Sequence, residues 1–300
     1  MSSPCLLCPR RCGVVRPETL TGERLPGVCA SPLLPVVARA ALHHWEEPVI
    51  SGSRGSGAVF FSGCNLHCVF CQNHAISTRP AGKQITTERL RQIYLELIAQ
   101  GAHNINLVTP AHFTEAVLKS LEEPLPVPVV WNSNAYERVE TLRRLRGKVQ
   151  IFLPDLKYAD DRLAARYSGA PDYFETAKAA VLEMFAQTGP FRMGGDGVLR
   201  SGVVIRHLIL PGCTENSKRV IDSAAETFKP GDVLFSLMRQ YLPCGKVSSE
   251  AYPELDRRIT EEEYREVEDY LFSSPLEDGF VQEADSAQEE FIPVFDGSGV

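Results

Sequence analysis

From residue 58 onward the chain alternates two hydrophobic patterns. Short runs rich in β-branched and aromatic residues, at 58–62, 104–109, 128–132, 149–153, 202–210 and 232–237, read as strands. Longer stretches whose apolar residues recur three or four positions apart, among them 87–100, 113–122, 215–228 and 260–272, read as amphipathic helices. Six strand–helix units in series predict parallel strands, because a parallel neighbour is reached only through a crossover long enough to hold a helix. Periodicity alone leaves open whether the sheet closes. In such folds the active site gathers at the C-terminal strand ends. Polar residues cluster there: Thr109 and Pro110, Asn132 to Asn134, Asp155 and Lys157, Arg206 and His207, and Gln240.

Before residue 58 the pattern is different. The apolar stretch 33–42 is broken by Pro35 and Arg39, so nothing approaches the roughly 18 residues of a membrane span. The Pro- and Gly-rich passage after Cys29, ending at residues 50–57, reads as a connector. This divides the chain into a small N-terminal module, 1–50, and a main domain, 51–300, with an acidic C-terminal extension.

With 300 residues, 44% of them hydrophobic and 23% charged, the chain can bury a substantial core, which excludes a disordered tail or a collagen-like fibre. The net charge of −7 is uneven: residues 250–300 carry 16 acidic against 3 basic side chains, leaving +6 on the first 249. A solvated acidic terminal helix on a mildly basic body accounts for this more simply than an anionic partner does.

Nine cysteines, an odd number, cannot all pair. Residues 1–12 lack the apolar centre of a secretory signal, so a cytoplasmic protein with reduced thiols is expected, and clustered thiols there more often hold metal than form disulfides. The sharpest cluster is Cys64-x3-Cys68-x2-Cys71, directly after the first predicted strand. Three thiolates can bind three irons of a cubane and leave the fourth open. A zinc site would need a fourth protein ligand, with His67 and His74 the local candidates. A cluster for electron transfer alone would need no fold of this size.

Cys64-x3-Cys68-x-Phe70-Cys71 resembles the signature of the radical S-adenosylmethionine (SAM) superfamily. Further runs resemble proteins related to the pyruvate formate-lyase activating enzyme that carry an N-terminal four-cysteine module. These are Glu46-Glu-Pro-Val-Ile-Ser-Gly52, Phe60-Phe-Ser-Gly-Cys-Asn-Leu66, Cys71-Gln-Asn73, Asn106-Leu-Val-Thr-Pro110, Leu153-Pro-Asp-Leu-Lys157, Arg206-His-Leu-Ile-Leu-Pro-Gly212 and Gln240-Tyr-Leu-Pro243. The resemblance implies an α/β fold, a partial (β/α)6 TIM-like barrel with a small N-terminal metal-binding module. It implies a 4Fe-4S cluster on Cys64, Cys68 and Cys71 whose open iron chelates SAM. Reduction by a donor such as flavodoxin or ferredoxin would cleave SAM to a 5′-deoxyadenosyl radical that abstracts hydrogen, in the nearest analogy from a backbone glycine of a glycyl radical enzyme.

By the same resemblance Asp155, Lys157, Asn132, Asn134, Arg206, Gln240, Phe70 and Thr109 contact SAM or face the active site. Thr109 stands where many activating enzymes have Gly-Gly-Glu, so it brings no carboxylate to the SAM amino group. The alternatives are a radical SAM enzyme acting on another peptide, RNA or small metabolite, or a non-catalytic iron–sulfur redox protein or adaptor.

Cys5-x2-Cys8-x3-Cys12-x16-Cys29 supplies four ligands for zinc or a second iron–sulfur cluster. Arg10, Arg11, Arg16 and Arg24 make this module basic, but with no aromatic residue among the first 30 to stack bases, nucleic acid is the less favoured partner. Cys213 and Cys244 follow the last two predicted strands, where both could lie at the mouth of the pocket, but isolated cysteines read first as small apolar filler. Gly52, Gly55 and Gly57 read as a flexible lead-in, and His43-His-Trp-Glu-Glu47 as packing and surface.

Overall fold

The computed structural model describes residues 4–22, 24–282 and 293–300. Part of the acidic C-terminal extension, residues 283–292, therefore lies outside the described residues. After the cysteine module come strand β1 (Val36–His43), short helix α1 (Pro48–Ser51), β2 (Ser56–Phe61), α2 (His74–Ser77), β3 (Lys83–Gln84) and α3 (Thr87–Ala99). Next are β4 (Ile105–Val108), a 3-10 turn (Ala111–Phe113), α4 (Thr114–Ser120), β5 (Val129–Ser133), α5 (Val139–Arg143), β6 (Ile151–Pro154), α6 (Asp161–Ser168) and α7 (Tyr173–Thr188). The chain continues through β7 (Arg192–Met193), β8 (Leu199–Leu208), α8 (Thr214–Thr227), β9 (Leu234–Met238), α9 (Glu261–Phe272) and β10 (Gly279–Val281).

All six expected strands are present as β2, β4, β5, β6, β8 and β9, each paired in parallel with the next. The sheet order β10-β9-β8-β6-β5-β4-β2-β1-β3 makes these six consecutive and parallel β10 a seventh. This is a mixed α/β, partial TIM-like barrel. The helices follow the patterns read from the sequence, and α9 begins with a capping box in which Thr260 and Glu263 satisfy each other's backbone N–H.

The expected connector is the main departure. Residues 36–43 form β1, antiparallel to β2, and Val36, Val37 and Ile50 are buried. Pro35 stands just before the strand, and Arg39 within it reaches the partly exposed side, where it pairs with Asp296 at 3.3 Å. The C-terminal residues lie on the same strand: the Ala40 N–H donates to the Ser298 carbonyl at 2.9 Å and the Gly297 N–H to the Ala38 carbonyl at 3.0 Å.

Alternation along each strand separates two cores. Val129 and Trp131, Val203 and Ile205, Phe235 and Leu237 face the helices in the main cluster. Val130, Ile151, Leu153, Val204 and Leu234 point inward and meet Val49 and Ile50 of α1, which plug the lower end of the barrel. Followed upward, the inward positions turn polar: Val130 gives way to Asn132, Leu153 to Asp155 and Val204 to Arg206. Leu153 is fully buried in this plug. Leu153→Ala should cost about 2–5 kcal/mol, read as a lowered urea midpoint with an unchanged slope.

Candidate functional site

The polar inward positions open into a cavity of about 730 Å³ at the C-terminal strand ends. Cys64, Cys68, Phe70, Cys71, Thr109, Asn132, Asn134, Asp155, Lys157, Arg206 and Gln240 all line it, so the residues expected to hold the cluster and to contact SAM meet in one chamber.

Arg206 holds the base of this chamber. A parallel bridge pairs Asp155 with Arg206, setting their side chains side by side. Arg206 Nε donates to Asp155 Oδ1 at 2.8 Å, Nη2 to Asn132 Oδ1 at 2.8 Å and Nη1 to Glu46 Oε2 at 2.9 Å. Lys157 Nζ donates to Asp155 Oδ2 at 2.7 Å. Glu46 Oε1 accepts from Asn106 Nδ2 at 3.0 Å and from Asn132 Nδ2 at 3.1 Å. Burial alone would raise the Asp155 carboxyl, but Arg206 and Lys157 outweigh it and hold it below its ordinary value. Burial would lower Lys157, yet Asp155 keeps its ammonium protonated.

Glu47 is the exception in this network. Its Oε2 has no hydrogen-bond partner and stands 3.7 Å from Arg206 Nη1. Burial pushes its carboxyl up to about 7, with Arg206 opposing and Glu46 reinforcing the shift. Glu46, Glu47, His43 and Trp45 line the cavity, contrary to the packing and surface role expected of this run. The available signal was the acidic pair directly before Pro48, at the start of a buried turn.

The cluster loop follows β2. The Leu66 N–H lies 3.3 Å from Cys64 Sγ, Asn134 Nδ2 3.5 Å from the same sulfur, and Ser168 Oγ donates to Cys68 Sγ at 3.0 Å. Burial raises the Cys68 thiol, and burial followed by the neighbouring cysteines pushes Cys71 up to about 12. Among the described residues no three His, Cys, Asp or Glu side chains converge as ligands of a single ion would. The triplet instead presents three thiols, with N–H and O–H donors aimed at two of the sulfurs, to one chamber. That donor set fits a multi-iron cluster, in which each thiolate holds its own iron. Phe70 lines the chamber and packs edge-on to Tyr158 and Tyr167 at 6.5 Å. Thr109 sits at φ +58°, a strained setting for a β-branched residue.

A family model described as the radical SAM superfamily matches residues 58–223. The chain belongs to the radical SAM superfamily. An uncharacterized protein of Methanocaldococcus jannaschii is 31% identical over 235 residues, 74% of this chain and 62% of that protein. The chain thus spans a little over three fifths of that relative's length. Streptococcus suis SuiB bound to S-adenosylmethionine superposes with TM-score 0.50 at 15% identity, over 76% of this chain and 50% of SuiB. A spore photoproduct lyase mutant superposes with TM-score 0.51 at 15% identity, over 74% of each chain. At these identities the likeness is one of fold.

Other expected residues lie elsewhere. His207 points to the helix side, its ring nitrogens 2.7 Å from the Leu156 carbonyl and 2.9 Å from Ser217 Oγ. Cys213 and Cys244 do not line the cavity, because the chain turns into the helical layer and over the cluster loop there. Cys244 Sγ donates to the Phe70 carbonyl at 3.2 Å. Cys5, Cys12 and Cys29 are all close enough to Cys8 to act on its thiol. Arg16 is buried, giving hydrogen bonds to the carbonyls of Ser31, His112 and Pro32. It is therefore committed to the protein's own backbone rather than to an external phosphate.

Glu47 supplies a pH test. In the unfolded chain a glutamate loses its proton at about pH 4.3, whereas the folded protein keeps this one up to about 7. Between those values the folded state binds more protons, so stability falls as pH rises. Glu47→Gln should remove that share of the slope, making the urea midpoint fall less than in the wild type between about pH 5 and pH 7.5.

Proposed function

We propose that this protein is a radical SAM enzyme of the activating-enzyme type. The observation that carries the reading is the meeting, in one cavity, of the three thiols with the Asp155–Lys157–Arg206 network. Cys64, Cys68 and Cys71 would hold a 4Fe-4S cluster. Such a cluster, with one iron open, supplies the electron that cleaves SAM to methionine and a 5′-deoxyadenosyl radical.

The chain's own residues orient and enclose. Asp155 and Lys157 offer an acceptor and a donor for the polar groups of SAM, and Asn132 and Asn134 extend that edge. Arg206 keeps Asp155 ionised and in place. Phe70 and its tyrosine neighbours exclude water beside the cluster, which a radical intermediate requires. Thr109 stands where the amino group of SAM would be met, without a carboxylate.

The substrate reading nearest to the motifs is a protein, with hydrogen abstracted from a backbone glycine. The same site chemistry would serve another peptide, RNA or a small metabolite. Flavodoxin or ferredoxin would supply the electron in the cytoplasm. No described helix is long and apolar enough to cross a membrane. The N-terminal cysteines, neighbours that are not gathered as the ligands of one ion, would close around zinc or a second iron–sulfur cluster, since a module this small lacks the core to fold without one.

Two experiments test this. Anaerobically reconstituted protein given dithionite and SAM should release 5′-deoxyadenosine, and Cys64→Ala should cut that release at least about 100-fold; well-loaded protein that makes none overturns the reading. Metal and sulfide analysis of the intact protein should give about four irons and one zinc, or about eight irons and no zinc, per chain. Replacing the N-terminal cysteines should remove only the zinc or the second four irons.

A further inference from the structure

Arg10 lies between two of the N-terminal cysteines, yet its side chain belongs to the main domain. Nε donates to the Asn65 carbonyl at 2.8 Å, and Nη2 to the carbonyls of Ser168 at 2.9 Å and Leu66 at 3.4 Å. Nη1 donates to the Gly169 carbonyl. The guanidinium also stacks 5.2 Å from the centre of the Tyr136 ring. Asn65 and Leu66 are the first residues of the loop between Cys64 and Cys68, and Ser168 is the residue whose hydroxyl donates to Cys68 Sγ at 3.0 Å. Asn65 in turn accepts from Asn134 Nδ2 at 2.9 Å, the same nitrogen that stands 3.5 Å from Cys64 Sγ. One guanidinium thus spans the backbone beside both ligand sulfurs.

The other end of Arg10 is tied to the cysteine module. The turn that carries it closes with the Arg11 N–H donating to the Cys8 carbonyl at 3.1 Å. A second contact joins the two sites: a Cβ on Gly63 would lie 2.7 Å from the Cys29 carbonyl, so only glycine fits before Cys64 while Cys29 keeps this position.

We propose that Arg10 is a positioning residue for the catalytic cluster loop, and that the metal on the N-terminal cysteines acts through it. Metal ligation at Cys8 and Cys12 fixes the turn that carries Arg10. Arg10 then holds the Cys64–Cys68 loop and Ser168 in the arrangement the cluster requires. This rests on the reading of Cys64, Cys68 and Cys71 as cluster ligands.

The test compares wild type, Arg10→Ala, Arg10→Lys and Cys12→Ala as anaerobically reconstituted full-length proteins. The triple Cys64→Ala, Cys68→Ala, Cys71→Ala variant identifies the N-terminal metal alone. Iron release to a ferrous chelator should be at least about 10-fold faster in Arg10→Ala. Arg10→Lys, which keeps the charge but cannot span four carbonyls, should also release iron faster. Millimolar methylguanidinium should restore Arg10→Ala toward the wild-type rate.

The reduced-cluster electron paramagnetic resonance spectrum with SAM should change in Arg10→Ala. The cluster potential should shift negative, since hydrogen bonds to the sulfurs help set it. A merely structural anchor would leave the spectrum and potential of the remaining cluster unmoved. Wild-type iron release, spectrum and potential in both Arg10 variants would overturn the proposal. Cys12→Ala should lose the N-terminal metal and copy Arg10→Ala; metal loss with an unaltered catalytic cluster overturns the coupling. A wild-type protein that assembles no cluster on Cys64, Cys68 and Cys71 would instead sink the functional reading beneath it.

Discussion

A guanidinium enclosed in a barrel must be met by acceptors on every side, because an unpaired buried charge costs several kcal/mol. Arg206 imposes that condition here, and its partners come from parts of the chain far apart in sequence: Glu46 from the β1–α1 turn, Asn132 from β5 and Asp155 from the end of β6. Satisfying one side chain therefore sets the height of three strands and the depth of α1. Below it the inward positions are apolar and filled; above it they are polar and open. The chamber begins where the arginine sits.

The same economy of contacts appears at the cluster loop, which is held from two directions. Arg10 grips its first half through the carbonyls of Asn65 and Leu66. The stretch after β9 covers its second half: Cys244 donates to the Phe70 carbonyl at 3.2 Å, and the Lys246 N–H to the Val69 carbonyl at 2.7 Å. Beside its own bond from the Cys71 N–H to the Cys68 carbonyl at 3.2 Å, the loop takes its shape from these neighbours. Two cysteine-bearing segments with no direct place in the chamber, the N-terminal module and the Cys244 turn, thereby share in shaping it.

The six parallel strands were legible because each is a short apolar run bounded by turn residues, and a run buried on both faces needs no long-range information to be recognised. Asp155, Lys157, Asn132 and Arg206 were legible for a related reason. Each falls at the polar end of an otherwise apolar strand, where the position that continues the inward series turns hydrophilic. Strand β1 was missed because it is antiparallel and carries Arg39 within it and Pro35 before it. Glu46 and Glu47 were missed with it, since charged neighbours beside a tryptophan read as surface until β1 is known to end beneath the barrel.

The local pattern alone determined the strand–helix alternation, the strand ends that carry polar groups and the grouping of the cysteines, because these depend on residues near one another in the chain. Tertiary structure alone decided that Glu47 lines the cavity with an oxygen that no hydrogen bond satisfies, that Arg10 and Arg16 serve backbone carbonyls, and that Cys213 and Cys244 stay outside. Each of those outcomes depends on which distant backbone lies within about 3 Å of a side chain. Composition and spacing carry no record of such contacts, and the folding of the sheet is what brings them together.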